Sequence, residues 1–92
     1  MTVSYVAYYE PGPNWIKGKP MKDQPLIEHV EYLIELQRCG KVSMGGPFRD
    51  GSGGLVIFNG NDVGDVKYVL SRDPAIADGT LVADVKEWAR II

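Results

Sequence analysis

From Pro25 to Gly40 the chain keeps a helical period and then passes, without a linker, into a strand ending Gly45-Gly46-Pro47; no other stretch limits the possible folds as much. Leu26, Ile27, Val30, Leu33 and Ile34 recur at the spacing that gathers them on one helix stripe, with Glu28, Glu31, Glu35 and Arg38 opposite. Pro25 suits a first turn, where its missing N–H is no loss, and Asp23 or Gln24 is available as cap. Gly40 supplies the residue type that most easily takes the left-handed conformation beyond a helix end. His29, the only histidine, falls beside Leu33 and Leu36 on the edge of the apolar stripe. In that position one ring face meets the core and the other can border a cavity.

The other elements fall into order around this helix. Val3 to Tyr9 has the Val and Tyr content of a strand and stops at Glu10-Pro11-Gly12-Pro13. Residues 10–24 carry prolines and glycines around Trp15, Ile16 and Met21, with Lys17, Lys19 and Lys22 interspersed. A connection this long is either a loop anchored by Trp15 and Ile16 or the cover of a pocket, and the two roles are compatible. Lys41 to Gly45 and Gly53 to Asn59 read as two strands of an antiparallel hairpin, joined by the turn-rich Pro47-Phe48-Arg49-Asp50-Gly51-Ser52. Asp62, with Asp65 three residues on, opens a second helix whose apolar face is Val63, Val66, Val69 and Leu70, and Pro74 stops its simple continuation.

The C-terminal stretch fits two periods. Val82, Val85, Ala89 and Ile92 would make a helical stripe, whereas Leu81, Ala83, Val85, Ala89 and Ile91 alternate as a strand does, interrupted by Glu87. Counting elements decides between them. A final strand completes the order strand, helix, strand, strand, helix, strand, which closes as an α+β domain: a four-stranded antiparallel sheet with both helices on one face. A final helix would leave three strands with little to cover their edge. Helices on one face leave the other bare, and pairing two such faces around a twofold axis would bury it, so a homodimer is expected.

Length and composition set outer limits. A chain of 92 residues is one small domain, able to bury only around 60 to 65% of its unfolded surface. A net charge of −2 argues against a nucleic-acid or anionic-membrane binder, and no apolar run approaches the roughly 18 residues of a membrane span. The first residues lack a basic region followed by an apolar segment, so a cytoplasmic location is expected. Cys39, the only cysteine, excludes an internal disulfide or a multi-cysteine metal cage. It sits at a helix C-terminus, whose partial negative charge disfavours a thiolate nucleophile.

The candidates for chemistry are His29 and Asp73. An imidazole titrates near neutrality and can take and return a proton, and it works better when a carboxylate fixes its tautomer. A lone histidine on an apolar edge is also a common satisfied core residue. Asp73, directly before Pro74, is a good N-cap for a short turn through Ala75, Ile76 and Ala77 ending at Gly79, yet it also follows the second helix, whose negative end calls for a compensating cation. His29, Arg72 or solvent could provide that. With one histidine no metal site is expected, and no cofactor motif is present. Gly51-Ser52-Gly53-Gly54 is better read as a hairpin loop than as a phosphate cradle.

The helix with its histidine, the Gly45-Gly46-Pro47 strand end and Asp73-Pro74-Ala75-Ile76-Ala77-Asp78-Gly79 together resemble the YCII-related domain proteins, over nearly the whole chain. The resemblance implies a ferredoxin-like fold in a dimeric α+β barrel and an active site built on a histidine and an aspartate, matching His29 and Asp73. Gly46 and Pro47 match the Gly-Pro pair of the family and would shape the cavity floor. One relative is a dehydrochlorinase acting on a chlorinated aromatic compound, and muconolactone isomerase is a structural cousin. The long proline-rich segment after the first strand and the ending Lys86-Glu87-Trp88-Ala89-Arg90 depart from the family pattern.

The expected function is a cofactor-independent lyase or isomerase that moves a proton on a small, anionic organic substrate. His29 would be the base and Asp73 its partner, with Arg49 or a lysine of the 10–24 segment holding the negative group. The alternative is a module of the same fold that binds a metabolite without catalysis, or only dimerises.

Overall fold

The structure, a computed structural model, describes residues 2–92. Four strands, β1 (Thr2–Pro11), β2 (Val42–Pro47), β3 (Gly54–Phe58) and β4 (Leu81–Arg90), form one antiparallel sheet in the order β2-β3-β1-β4. Helices α1 (Ile27–Arg38) and α2 (Val63–Ser71) alternate with them, and a single turn, α3 (Pro74–Ala77), follows α2. This is the ferredoxin-like α+β arrangement. The C-terminal stretch is a strand, paired along its whole length with β1 from Thr2↔Arg90 to Pro11↔Leu81.

Alternation along the strands sorts the side chains. Tyr5, Ala7 and Tyr9 of β1 join Val56, Phe58, Leu81, Val66, Leu70, Leu36 and Ala75 in one buried cluster beneath the helices. Val6, Tyr8, Ile57 and Leu55 occupy the intervening positions, in the pairs Val6↔Ile57 and Tyr8↔Leu55, and so face away from the helices. β2 shifts register between Val42 and Met44, a bulge that sets Gly45 opposite Val56 and Pro47 opposite Gly54.

The helix ends show local chemistry deciding boundaries. Asp62 caps α2, its side chain accepting from the Asp65 N–H at 2.9 Å, and Gly40 follows α1 with φ 82°. The start of α1 differs from expectation: the cap position is Leu26, with no side-chain cap, and neither Asp23 nor Gln24 serves it. Met21–Asp23 form a single 3-10 turn, and the buried Gln24 amide works on the preceding loop instead. Its oxygen accepts from Ile16 N–H at 2.8 Å and its nitrogen donates to the carbonyls of Ile16 and Lys19, both at 2.9 Å. One primary amide thereby bonds three backbone groups of the loop.

The loop is fastened at its other end as well. Gly12 N–H donates to Thr80 O and Asn14 N–H to Gly79 O, each at 2.9 Å, and the Asn14 amide donates to Asp78 O at 2.7 Å. The segment between β1 and α1 is therefore tied to the α3–β4 turn. Among the described residues, no helix is long and apolar enough to cross a membrane.

Candidate active site

Asp73 owes its position to two helix ends meeting. α2 stops with Arg72 at its C-cap, and Pro74 takes the first position of α3, so Asp73 between them is extended (φ −63°, ψ 126°) and its carboxylate turns back over α3. Oδ1 accepts from the Ala75 N–H at 2.9 Å. Oδ2 lies 2.6 Å from Nδ1 of His29, 44 positions away on the first turn of α1. Capping and pairing, weighed as competitors on sequence, are carried out together because a carboxylate has two acceptor oxygens.

The pair is almost dry: side-chain exposure is 0% for Asp73 and 12% for His29. A carboxylate that already accepts from a backbone N–H accepts a second hydrogen bond from His29 Nδ1–H, which leaves Nε2 as the ring nitrogen with a free lone pair. The ring of Tyr9 stands edge-on to the imidazole, centroids 5.4 Å apart and planes at 67°. Its hydroxyl is buried and has no hydrogen-bond partner among the described residues. Burial first, then the charge of Asp73 and the neighbouring Tyr32, pushes the Tyr9 phenol far above its ordinary value, so it stays protonated.

Beside this cluster opens a cavity of about 610 Å³, within the range of small-ligand sites. Its cause lies in the sheet. The helix-facing positions of β2 and β3 next to Val56 are Gly45 and Gly54, which carry no side chain, so the sheet does not fill the space under α1. The apolar stripe of α1 is consequently split. Leu36 is buried and Leu33 packs on the core, whereas Ile27, Val30 and Ile34 are 77%, 50% and 43% exposed and line the cavity.

Of the residues singled out on sequence, His29, Gly46 and Pro47 line this cavity, and Asp73 touches it through His29. Arg49 does not belong to the lining; it sits exposed in the turn between β2 and β3. Of the lysines in the 10–24 segment, Lys22 borders the cavity, and Lys17 and Lys19 are outside its lining. Met21 and Gln24 border it too, so the segment is at once anchored and part of the wall. Sequence reading missed Tyr9, Gly45 and Gly54. Tyr9 follows the same alternation as the core residues Tyr5 and Ala7, and only its unpaired hydroxyl tells it apart.

Residues 1–89 match the YCII-related domain family. An uncharacterized protein of Bacillus subtilis (strain 168), YjpA, is 32% identical over 73 residues, which cover 79% of this chain and 86% of that protein. Among solved structures, 5-chloro-2-hydroxyhydroquinone dehydrochlorinase (TftG) from Burkholderia phenoliruptrix AC1100, in complex with 2,5-dihydroxybenzoquinone, superposes with a TM-score of 0.67 at 21% identity. The match spans 94% of this chain and 93% of that one, and it establishes a shared fold. With nearly its whole length matched, the chain belongs to the YCII-related domain family.

Proposed function

We propose that this protein is a cofactor-independent lyase or isomerase in which His29, oriented by Asp73, moves a proton on a small oxygenated ring compound. The observation that carries the reading is the 2.6 Å contact between His29 Nδ1 and Asp73 Oδ2 at the edge of a largely apolar cavity. Nε2 takes a proton from a substrate carbon or hydroxyl beside a carbonyl, and the imidazolium so formed is stabilised by the buried carboxylate. In an isomerisation His29 returns the proton to another carbon. In an elimination a C–H and a carbon–halogen bond break, a C=C bond forms, the proton goes to His29 and halide leaves.

The likeness in fold to a dehydrochlorinase complexed with a dihydroxybenzoquinone supports a ring-shaped substrate, as do the walls formed by Ile27, Val30 and Ile34. Lys22 is the cavity cation positioned to attract a negative substituent. The test is turnover of chlorinated hydroxyhydroquinones, together with deuterium exchange into ring C–H positions. His29→Ala should lower either rate roughly 10²–10⁴-fold with the fold intact. Unchanged rates in that variant would exclude the mechanism.

A second reading, metabolite binding without catalysis, is favoured by one observation: Oδ1 of Asp73 caps α3, a structural duty that accounts for the residue by itself. It predicts that ring compounds bind to the wild type and that neither exchange nor elimination is detected. The same open sheet face that led to a homodimer on sequence grounds supports a twofold assembly.

A further inference from the structure

Gln24 is 7% exposed, and every hydrogen bond its carboxamide makes goes to the segment that precedes α1. The oxygen accepts from Ile16 N–H at 2.8 Å, and the nitrogen donates to the carbonyls of Ile16 and Lys19, each at 2.9 Å. Ile16 and Lys19 are the ends of one tight turn, closed by Lys19 N–H donating to Ile16 O at 3.2 Å. The backbone of Gln24 closes the next turn, Met21–Asp23, its N–H donating to the Met21 carbonyl at 3.0 Å. The side chain therefore straps the turn that carries Lys22 onto the turn before it. Gln24 lines the cavity, but both of its amide hydrogens are taken by the loop, so it has none to offer a ligand. Among the described residues of the lining, Lys22 on the loop and Glu31 on α1 carry a full charge.

We propose that Gln24 is a positioning residue, whose carboxamide holds the Met21–Asp23 turn so that Lys22 stays at the cavity mouth to receive an anionic oxygen substituent of the substrate ring. The inference rests on the ring-binding reading above and narrows it to rings that are already anions when they enter. A lysine on a free loop attracts such a group weakly, because its ammonium is strongly hydrated and both stem and loop must be ordered on binding. A loop whose backbone is already bonded has been ordered before the ligand arrives. Placement matters further because Glu31 repels the same substituent, so an anion is drawn in only where Lys22 is the nearer charge. The first part of the segment is fixed independently, by Gly12 and Asn14 to the α3–β4 turn. Loss of the Gln24 amide thus frees the part from Ile16 to Asp23 and leaves the other anchor in place.

The test is a double-mutant cycle over wild type, Gln24→Met, Lys22→Met and the double variant, reading affinity for 2,5-dihydroxybenzoquinone by calorimetric titration at low and at high salt. The probe is a vinylogous acid and an anion at neutral pH. Lys22→Met should bind it about 3- to 5-fold more weakly at low salt, the scale of one exposed charge interaction, and lose most of the salt dependence of the wild type. Gln24→Met keeps the side-chain volume without the three hydrogen bonds, and should reproduce both effects. The double variant should then be no weaker than Lys22→Met. Weakening that adds to that of Lys22→Met, with the salt dependence kept, would overturn the assignment by making Gln24 a structural residue alone. Wild-type affinity in either single variant would overturn it too, and leave the ring-binding reading standing. Gln24→Asn, a neutral amide one methylene too short to span both turns, replaces Gln24→Met if that variant does not fold; failure of both to fold also overturns the assignment. A wild type that does not bind the probe at either salt would sink the ring-binding reading, and this inference with it.

Discussion

At the scale of single residues, the site turns on a carboxylate with two duties that can be separated experimentally. Asparagine caps helices about as well as aspartate, so Asp73→Asn can keep the bond from the Ala75 N–H through its carbonyl oxygen. Its amide nitrogen then faces Nδ1 of His29 and can only donate, which moves the imidazole proton to Nε2, the nitrogen needed as base. Asp73→Asn should therefore fold, melt within a few degrees of wild type, and lose roughly 10²–10⁴-fold in rate. A variant with the wild-type rate would show that Asp73 serves only as a cap. Tyr9 gives a pH prediction of definite sign. An unfolded tyrosine ionises near pH ~10, whereas folded Tyr9 keeps its proton well beyond that. Below pH ~10 both states hold the proton and stability is unaffected; above it the unfolded state alone releases one, and stability falls as pH rises. Tyr5 and Tyr32 are shifted the same way, each mainly by burial, so Tyr9→Phe should shrink this alkaline slope without abolishing it, as urea titrations from pH 9 to 11 would show.

At the scale of elements, α1 shows where pattern reading succeeds and where it stops. Its period, its Gly40 ending and its following strand were legible because the 3.6-residue spacing of apolar side chains belongs to the helix alone. The element order was legible too, since only a final strand lets the sheet close. What the apolar stripe touches was not legible, because that depends on the opposing surface, and the decisive residues, Gly45 and Gly54, are on other elements and act by lacking side chains. The His29–Asp73 pair was legible through the family resemblance, whereas local sequence alone left Asp73 between capping and pairing, for the contact depends on how α1 and α3 meet. A consequence can be measured. Val30, half exposed and facing the cavity, can become Ser at a cost within about 1 kcal/mol, mostly helix propensity and lost partial burial. Ring ligands should nonetheless bind Val30→Ser several-fold more weakly. A large stability loss with unchanged binding would place Val30 in the core. Gly53 supplies the opposite case: a Cβ there would overlap the Tyr9 carbonyl oxygen, so Gly53→Ala should destabilise by more than about 1 kcal/mol in chemical denaturation.

At the scale of the whole molecule, the sheet face opposite the helices determines what the domain does with its remaining apolar surface. Val6, Ile57 and Leu55 lie on that face, with Tyr8 and Met44 more exposed beside them, and Tyr8 stacks at a tilt on Phe48, ring centroids 5.5 Å apart. On β4 the same face carries Asp84, Lys86 and Arg90 around Trp88. The apolar part is thus displaced toward β1, β2 and β3, with a charged border along β4, a distribution matching the core and rim of a protein interface. A domain this small buries a modest share of its surface by itself, and a twofold pairing of two such sheets could cover the 1,200–2,000 Å² or so typical of stable complexes. The expected outcome is a sedimentation-equilibrium mass twice the 10.2 kDa of one chain at micromolar concentration. Replacing Tyr8 with Lys puts like charges on each side of the axis, and should yield a folded monomer with an unchanged helical circular-dichroism signal, because Tyr8 belongs neither to the buried cluster under the helices nor to the cavity lining. If ring ligands bind that monomer as they bind the dimer, each cavity is complete within one chain; if binding is lost with the dimer, the partner contributes to the wall that Ile27, Val30 and Ile34 leave open. A wild-type chain that sediments as a monomer would remove the twofold assembly and leave this face to be explained by another partner.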